Sequence, residues 1–234
     1  MKLRIEPSWH QAIVGMTGSG KTTLLKAMVQ SYATLLNRRN TPYYYKIYIL
    51  DTKHYGDFDG FGTHYDSLVD VLQDVSSRII VYEPNELEDN HVHYEAFIKA
   101  LWERWLIDPK DKRKRRVPTV IVVDELTQLE VRGASKSYID PDRTHYWAEV
   151  MKRGRASKFV LWNATQNPVR VPEDFFRNAD AFFAFRLSNP DDRKRISRYM
   201  GDAELVERPI LDPHGFWYYH SGMMKPFYFK GLPT

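Results

Sequence analysis

The sequence predicts an α/β fold, a mostly parallel sheet with helices on both faces, and three observations predict it. Residues 15–22 read Gly-Met-Thr-Gly-Ser-Gly-Lys-Thr, matching the phosphate-binding pattern G-x-x-x-x-G-K-[ST] at every fixed position. Short β-branched or aromatic runs alternate with stretches of helical periodicity, the pattern of strands joined by crossover helices. One of those runs, Val120-Ile-Val-Val123, ends in the paired acids Asp124 and Glu125.

Gln11-Ala-Ile-Val14 is compatible with a buried strand and feeds the glycine loop directly. From residue 21 to 37, apolar side chains fall at Leu24, Leu25, Met28, Val29, Tyr32, Leu35 and Leu36, the spacing of one helix face. Strand, glycine loop and helix is the order that phosphate binding requires, because the helix N-terminus points its free N–H groups at the anion. Gly15, Thr17, Gly18, Ser19, Gly20, Lys21, Thr22 and Thr23 are therefore the candidate ATP contacts. Backbone N–H groups cradle phosphate oxygens, Lys21 reaches the β/γ-phosphates, and the Thr22 hydroxyl sits on Mg²⁺.

Further strands are expected at 45–50, 78–82, 119–123, 159–163, 181–185 and 216–220. Between them, Leu68, Val69, Leu72 and Val75 are assigned to one helix face. So are Tyr94, Phe97, Ile98, Leu101, Trp102 and Trp105, and, in a third helix, Tyr146, Trp147, Val150 and Met151. Residues 53–63 and 130–143 read as long loops, a class that is usually functional or disordered. Beyond Gly201 the prolines at 209, 213, 226 and 233 favour edge strands and turns. The expected organisation is one P-loop domain over 1–234, with a C-terminal strand and turn extension at about 201–234.

A chain of 234 residues can bury a core without covalent staples. It contains no cysteine, which excludes a disulfide framework and a thiolate metal site. The net charge of +4 permits nucleic-acid binding without requiring it. No apolar run reaches the roughly 18–20 residues of a membrane span, and the N-terminus lacks the apolar core of a secretory signal. A soluble cytoplasmic protein is expected. His54, Asp57, Asp59 and His64, and His91 and His93 beside Glu88 and Asp89, have metal-ligand chemistry but read as polar loop residues.

Asp124 has the placement of an acid that holds Mg²⁺ at the end of a strand. Glu125 follows at once and can orient and deprotonate a water aimed at the γ-phosphate, which favours hydrolysis over transfer to a bound hydroxyl. The strand at 159–163 runs into Ala164-Thr-Gln-Asn-Pro168, making Gln166 the candidate sensor of the γ-phosphate or the attacking water. Met151-Lys-Arg-Gly-Arg-Ala156 supplies Arg155, and after it Arg153, as an arginine reaching into a neighbouring subunit's site. The same two residues also fit solvated helix-end cations favoured by the helix dipole.

Together these segments resemble the FtsK–HerA superfamily of DNA-pumping ATPases over about residues 12–220. The residues that carry the resemblance are IVGMTGSGKTTLL, KRKRRVPTVIVVDELTQL, MKRGRASKFVLWNATQNP and Leu187-Ser-Asn-Pro-Asp-Asp-Arg193. The resemblance implies a RecA-like ASCE core, a homo-oligomeric ring, commonly a hexamer, and translocation of double-stranded DNA through its pore. It also implies the roles above for Lys21, Thr22, Asp124, Glu125 and Gln166, with Arg155 acting in trans. In size the chain looks like the genome-packaging ATPases of tailless, internal-membrane-containing double-stranded DNA viruses. An ATP-hydrolysing packaging motor is therefore expected, meeting capsid vertex proteins and located in the host cytoplasm or with the virion. The alternatives are a cellular or plasmid DNA pump, an extrusion ATPase acting on protein, and a small-metabolite kinase. A pore must grip phosphates with loop cations, and Arg132, Lys136 and Arg143 in the loop at 130–143 are the candidate DNA contacts. The denser basic run at 110–116 precedes the Asp124 strand, at the end away from nucleotide, and reads as a solvated turn.

Overall fold

The computed structural model describes residues 5–6, 8–34, 46–53, 56–85, 90–106, 118–129 and 146–232. In chain order they form β1 (Gln11–Val14), α1 (Lys21–Ala33), β2 (Lys46–Leu50), β3 (Thr63–Tyr65), α2 (Leu68–Gln73), β4 (Ile79–Tyr82), α3 (Asn90–Leu106) and β5 (Thr119–Val123). There follow α4 (Tyr146–Arg153), β6 (Phe159–Thr165), α5 (Glu173–Arg177), β7 (Ala181–Phe185), α6 (Pro190–Ser197), α7 (Ala203–Glu207), β8 (Phe216–His220) and β9 (Phe227–Phe229). The strands make one nine-stranded sheet in the order β3-β4-β2-β5-β6-β1-β7-β8-β9. Every pairing from β3 to β7 is parallel, and the β7–β8 and β8–β9 pairings are antiparallel. The architecture is a mostly parallel sheet flanked by helices on both faces, as the sequence predicts.

Parallel strands covered on both faces read as near-continuous apolar runs, and β1, β5 and β6 are buried along their whole length. The pleat sends alternate residues to opposite faces. Ala12, Val14, Leu50, Ile121 and Val123 pack with Tyr94 and Phe97 of α3 and Trp147 and Val150 of α4. Ile13, Ile49, Val120 and Val122 pack with Leu24, Leu25, Met28 and Val29 of α1 on the other face. At the antiparallel edge, aromatic rings face one another across strands, with Phe183–Tyr218 at 5.0 Å and Phe185–Phe216 at 4.9 Å between centroids. Such cross-strand pairs are the unit of sheet stabilisation.

Several elements differ from expectation. α2 buries Val71 and partly buries Leu68 and Leu72, while Val69 and Val75 are 59% and 80% exposed. Positions 68, 71 and 72 share a face at the i, i+3, i+4 spacing, and Val69 lies off it. Val75 falls beyond the helix, where the Asp74 carboxylate gathers the Ser76 and Ser77 N–H groups at 2.8 Å and turns the chain. At the end of the expected loop 53–63, β3 adds an edge strand that pairs, among the described residues, with β4 alone. β6 runs two residues past its expected end, to Thr165.

Residues 35–37 of the first expected helix, Tyr45, His54, Glu88 and Asp89, the basic run 110–116, and Arg132, Lys136 and Arg143 lie outside the described residues. Among those described, no helix is long and apolar enough to cross a membrane.

Candidate nucleotide site

β1 lies between β6 and β7, and β5 lies on the far side of β6, while the chain leaves β1 through α1 to reach β2 beyond β5. This change of direction opens a crevice at the carboxyl ends of the strands, where ligands of open α/β sheets bind.

The glycine loop leaves β1 and is pinned to both neighbours. Gly15 N–H donates to the Thr165 carbonyl at 3.2 Å, and Met16 N–H donates to the Arg186 carbonyl at 2.8 Å. A β-carbon on Gly15 would lie 2.6 Å from Phe185 Cβ and 2.7 Å from Ser19 Oγ, so the loop tolerates no side chain there. Gly20 sits at φ 108°, in the left-handed region, and its carbonyl accepts from Leu24 N–H at 2.9 Å to start α1. α1 has no side-chain cap and no acid in its first turn, so its leading N–H groups are left for an anion. Ser19 Oγ is buried with no hydrogen-bond partner among the described residues. Thr17, Gly18 and Thr23 are exposed at the mouth. The uncapped N–H groups of α1 and the Ser19 hydroxyl fit a polyphosphate.

Lys21 opens α1 and is 4% exposed. Its Nζ donates to the Met16 carbonyl at 3.0 Å. Its pKa is lowered to about 8, chiefly by burial and then by nearby Lys53, against the opposing pull of the Glu125 and Asp124 carboxylates. A desolvated ammonium of this kind interacts strongly with an incoming anion. Thr22 Oγ1 donates to Asp124 Oδ1 at 2.9 Å, and Lys53 Nζ pairs with Asp124 Oδ2.

The neighbouring strands β5 and β6 set Val123 opposite Asn163, so Glu125 and Thr165, each two residues further on, meet. Glu125 Oε1 accepts from Thr165 Oγ1 at 2.9 Å and Thr127 Oγ1 at 2.7 Å, and Oε2 accepts from Gln166 N–H at 3.0 Å. The Gln166 side chain turns the other way and accepts from Thr17 Oγ1 of the glycine loop at 2.6 Å. Lys21, Thr22, Asp124, Glu125 and Gln166 thus form one connected site.

Arg155 and Arg153 lie elsewhere. Arg155 stands in the turn before β6, at the amino ends of the strands, and pairs with Asp180 just before β7. The same carboxylate accepts from His10 N–H at 2.9 Å, and His10 Nδ1 accepts from Leu161 N–H at 3.0 Å. Burial drives the His10 imidazole down to about 3, and the Arg155 charge adds to the effect. The Arg155 side chain is 54% exposed. Arg153 ends α4 and pairs with Glu149 one turn earlier, at 3.2 Å. Neither can reach the nucleotide crevice of its own chain, since that crevice is at the opposite ends of the strands.

Sequence reasoning missed Lys53, Thr127, Thr165 and Arg186 as parts of the site. Arg186 follows β7, and its Nε donates to Met16 Sδ at 3.1 Å. Lys53 follows an apolar strand and gave no sign until β2 was known to lie beside β5. Thr165 was legible only once β5 and β6 were known to be neighbours, whereas Thr127 lies two residues beyond Glu125 on the same turn.

Comparison with protein-family models gives no match, and neither does comparison with curated proteins. Solved structures do match. The genome packaging NTPase B204 from Sulfolobus turreted icosahedral virus 2, in complex with AMPPCP, is 21% identical at a TM-score of 0.69, covering 97% of this chain and 100% of that chain. The same NTPase in complex with sulfate is 21% identical at a TM-score of 0.70, covering 97% of this chain and 98% of that chain. The cytoplasmic domain of the Thermomonospora curvata Type VII secretion ATPase EccC is 14% identical at a TM-score of 0.62, covering 99% of this chain but 25% of that chain. At these identities the likeness is one of fold.

Proposed function

We propose that the chain is an ATP-hydrolysing motor that translocates double-stranded DNA and packages it into a viral capsid. The observation that carries the reading is the junction of Thr17, Gln166 and Glu125, which ties the phosphate loop to a carboxylate placed to act on water. The end-to-end likeness to the B204 genome packaging NTPase supplies packaging as the task.

In this reading the glycine loop and Lys21 bind the ATP phosphates, Gln166 senses the γ-phosphate, and Glu125 takes a proton from the attacking water. The Thr22 hydroxyl and the Asp124 carboxylate are adjacent hard oxygen donors, the chemistry that suits Mg²⁺. Bound there, the metal would neutralise charge on the phosphates. The site is completed in a homo-oligomeric ring, expected to be a hexamer, by Arg155 of a neighbour. Its exposure at the opposite ends of the strands supports that role, and its alternative is a purely structural pair with Asp180. Arg132, Lys136 and Arg143 remain the candidate pore cations, and capsid vertex proteins the candidate docking partners. The chain is read as one P-loop domain that works in the host cytoplasm or with the virion.

The test is ATP turnover with and without duplex DNA. Turnover stimulated severalfold by duplex DNA, and abolished by Lys21→Ala, is the expected outcome. Turnover indifferent to DNA would instead favour a motor acting on protein, the reading that the EccC likeness supports.

A further inference from the structure

The cation that holds Asp124 is Lys53. It stands on the turn after β2, and β2 and β5 are neighbours with Leu50 opposite Val123, so the turns that follow them lie side by side. Lys53 Nζ pairs with Asp124 Oδ2, with the lysine side chain 15% exposed and the carboxylate 0%. The other oxygen of Asp124 accepts from Thr22 at 2.9 Å. Both oxygens of the carboxylate are engaged, one of them by a full positive charge.

We propose that Lys53 is a resident counter-ion of the magnesium seat: its ammonium neutralises Asp124 until metal arrives with nucleotide, and Mg²⁺ binds only as Lys53 leaves the carboxylate. The inference rests on the reading of Thr22 and Asp124 as metal ligands. A buried carboxylate without a partner is strongly unfavourable, which is why an ammonium occupies it. A metal seated beside Thr22 at Oδ1 would stand across one buried carboxylate from the Lys53 ammonium at Oδ2, where the low local dielectric screens the repulsion of two cations poorly. The metal therefore competes with the lysine, and its apparent affinity is reduced by the fraction of time Lys53 is away. Lysine suits the task, since a compact charge on a flexible stem leaves more readily than the rigid bidentate fork of arginine.

The test has two arms. In the first, Mn²⁺ binding to the protein saturated with AMPPCP is measured by electron paramagnetic resonance. Lys53→Met is expected to bind Mn²⁺ at least about tenfold tighter than wild type, while Lys53→Arg binds no tighter than wild type. In the second, acylation of the Lys53 amine in wild-type protein is followed by mass spectrometry with ADP present. Adding Mg²⁺ is expected to speed modification at least about threefold as the amine leaves Asp124. This arm decides the matter if Lys53→Met does not fold. Lys53→Met binding no tighter than wild type, or a modification rate indifferent to Mg²⁺, overturns the proposal. Asp124→Asn separates the two levels. If it weakens Mn²⁺ binding while Lys53→Met has no effect, only the role of Lys53 fails; if it leaves Mn²⁺ binding unchanged, the magnesium assignment itself fails.

Discussion

Glu125 is held by donors from two segments, Thr127 on its own turn and Thr165 and Gln166 at the end of β6. A carboxylate fixed this way needs little rearrangement to aim at a water, and a positioned base contributes about 10²–10⁴ in rate. Glu125→Gln is expected to keep ATP binding and lose hydrolysis by about that factor, checked by nucleotide titration alongside single-turnover kinetics. His10 gives a prediction about pH. Its imidazole is buried, Nε2 has no hydrogen-bond partner among the described residues, and its folded pKa is lowered from 6.5 to about 3. The unfolded chain therefore binds the extra proton first, so stability present above pH 6.5 is lost as pH falls toward 3. The slope is about 1.4 kcal/mol per pH unit for one proton. Thermal unfolding across that range should show a shallower acid decline for His10→Gln than for wild type; parallel curves would remove the histidine from the account.

At the scale of elements, the glycine loop is seated against β7. Gly15→Ala would push a methyl group into Phe185 Cβ and Ser19 Oγ. Overpacking of this kind costs about 1–3 kcal/mol, and here the displaced part is the phosphate loop. A lowered melting temperature with ATP affinity down at least about tenfold is expected from calorimetry and nucleotide titration. The central strands were legible because parallel strands buried on both faces carry unbroken apolar runs, as Val120–Val123 does. β3 was not, because Thr63, His64 and Tyr65 form an exposed edge with no hydrophobic signal. α2 was misread at Val69, Val71 and Val75, since a helix of six residues holds too few apolar side chains to fix its phase. Lys21, Thr22, Asp124 and Glu125 follow from spacing alone. Lys53 does not, because a lysine after a strand is ordinary until β2 is known to lie beside β5.

Across the whole molecule, the two ends of the strands carry different clusters: the candidate nucleotide crevice at the carboxyl ends and His10, Asp180 and Arg155 at the amino ends. Mixing Arg155→Ala protein with Lys21→Ala protein tests whether the two clusters of adjacent subunits combine. Neither variant should turn over ATP at an appreciable rate alone, and partial recovery in the mixture is expected; no recovery would leave Arg155 a structural partner of Asp180. β6, like β1 and β7, runs from one cluster to the other. Arg155 lies in the turn at its start, and Thr165 at its end holds Glu125. All seven of its residues are buried, and a strand of that length spans about 20 Å. Paired along its length with β5 and β1, β6 is held in register on both sides, so the turn that carries Arg155 and the threonine that holds Glu125 are kept at a fixed separation.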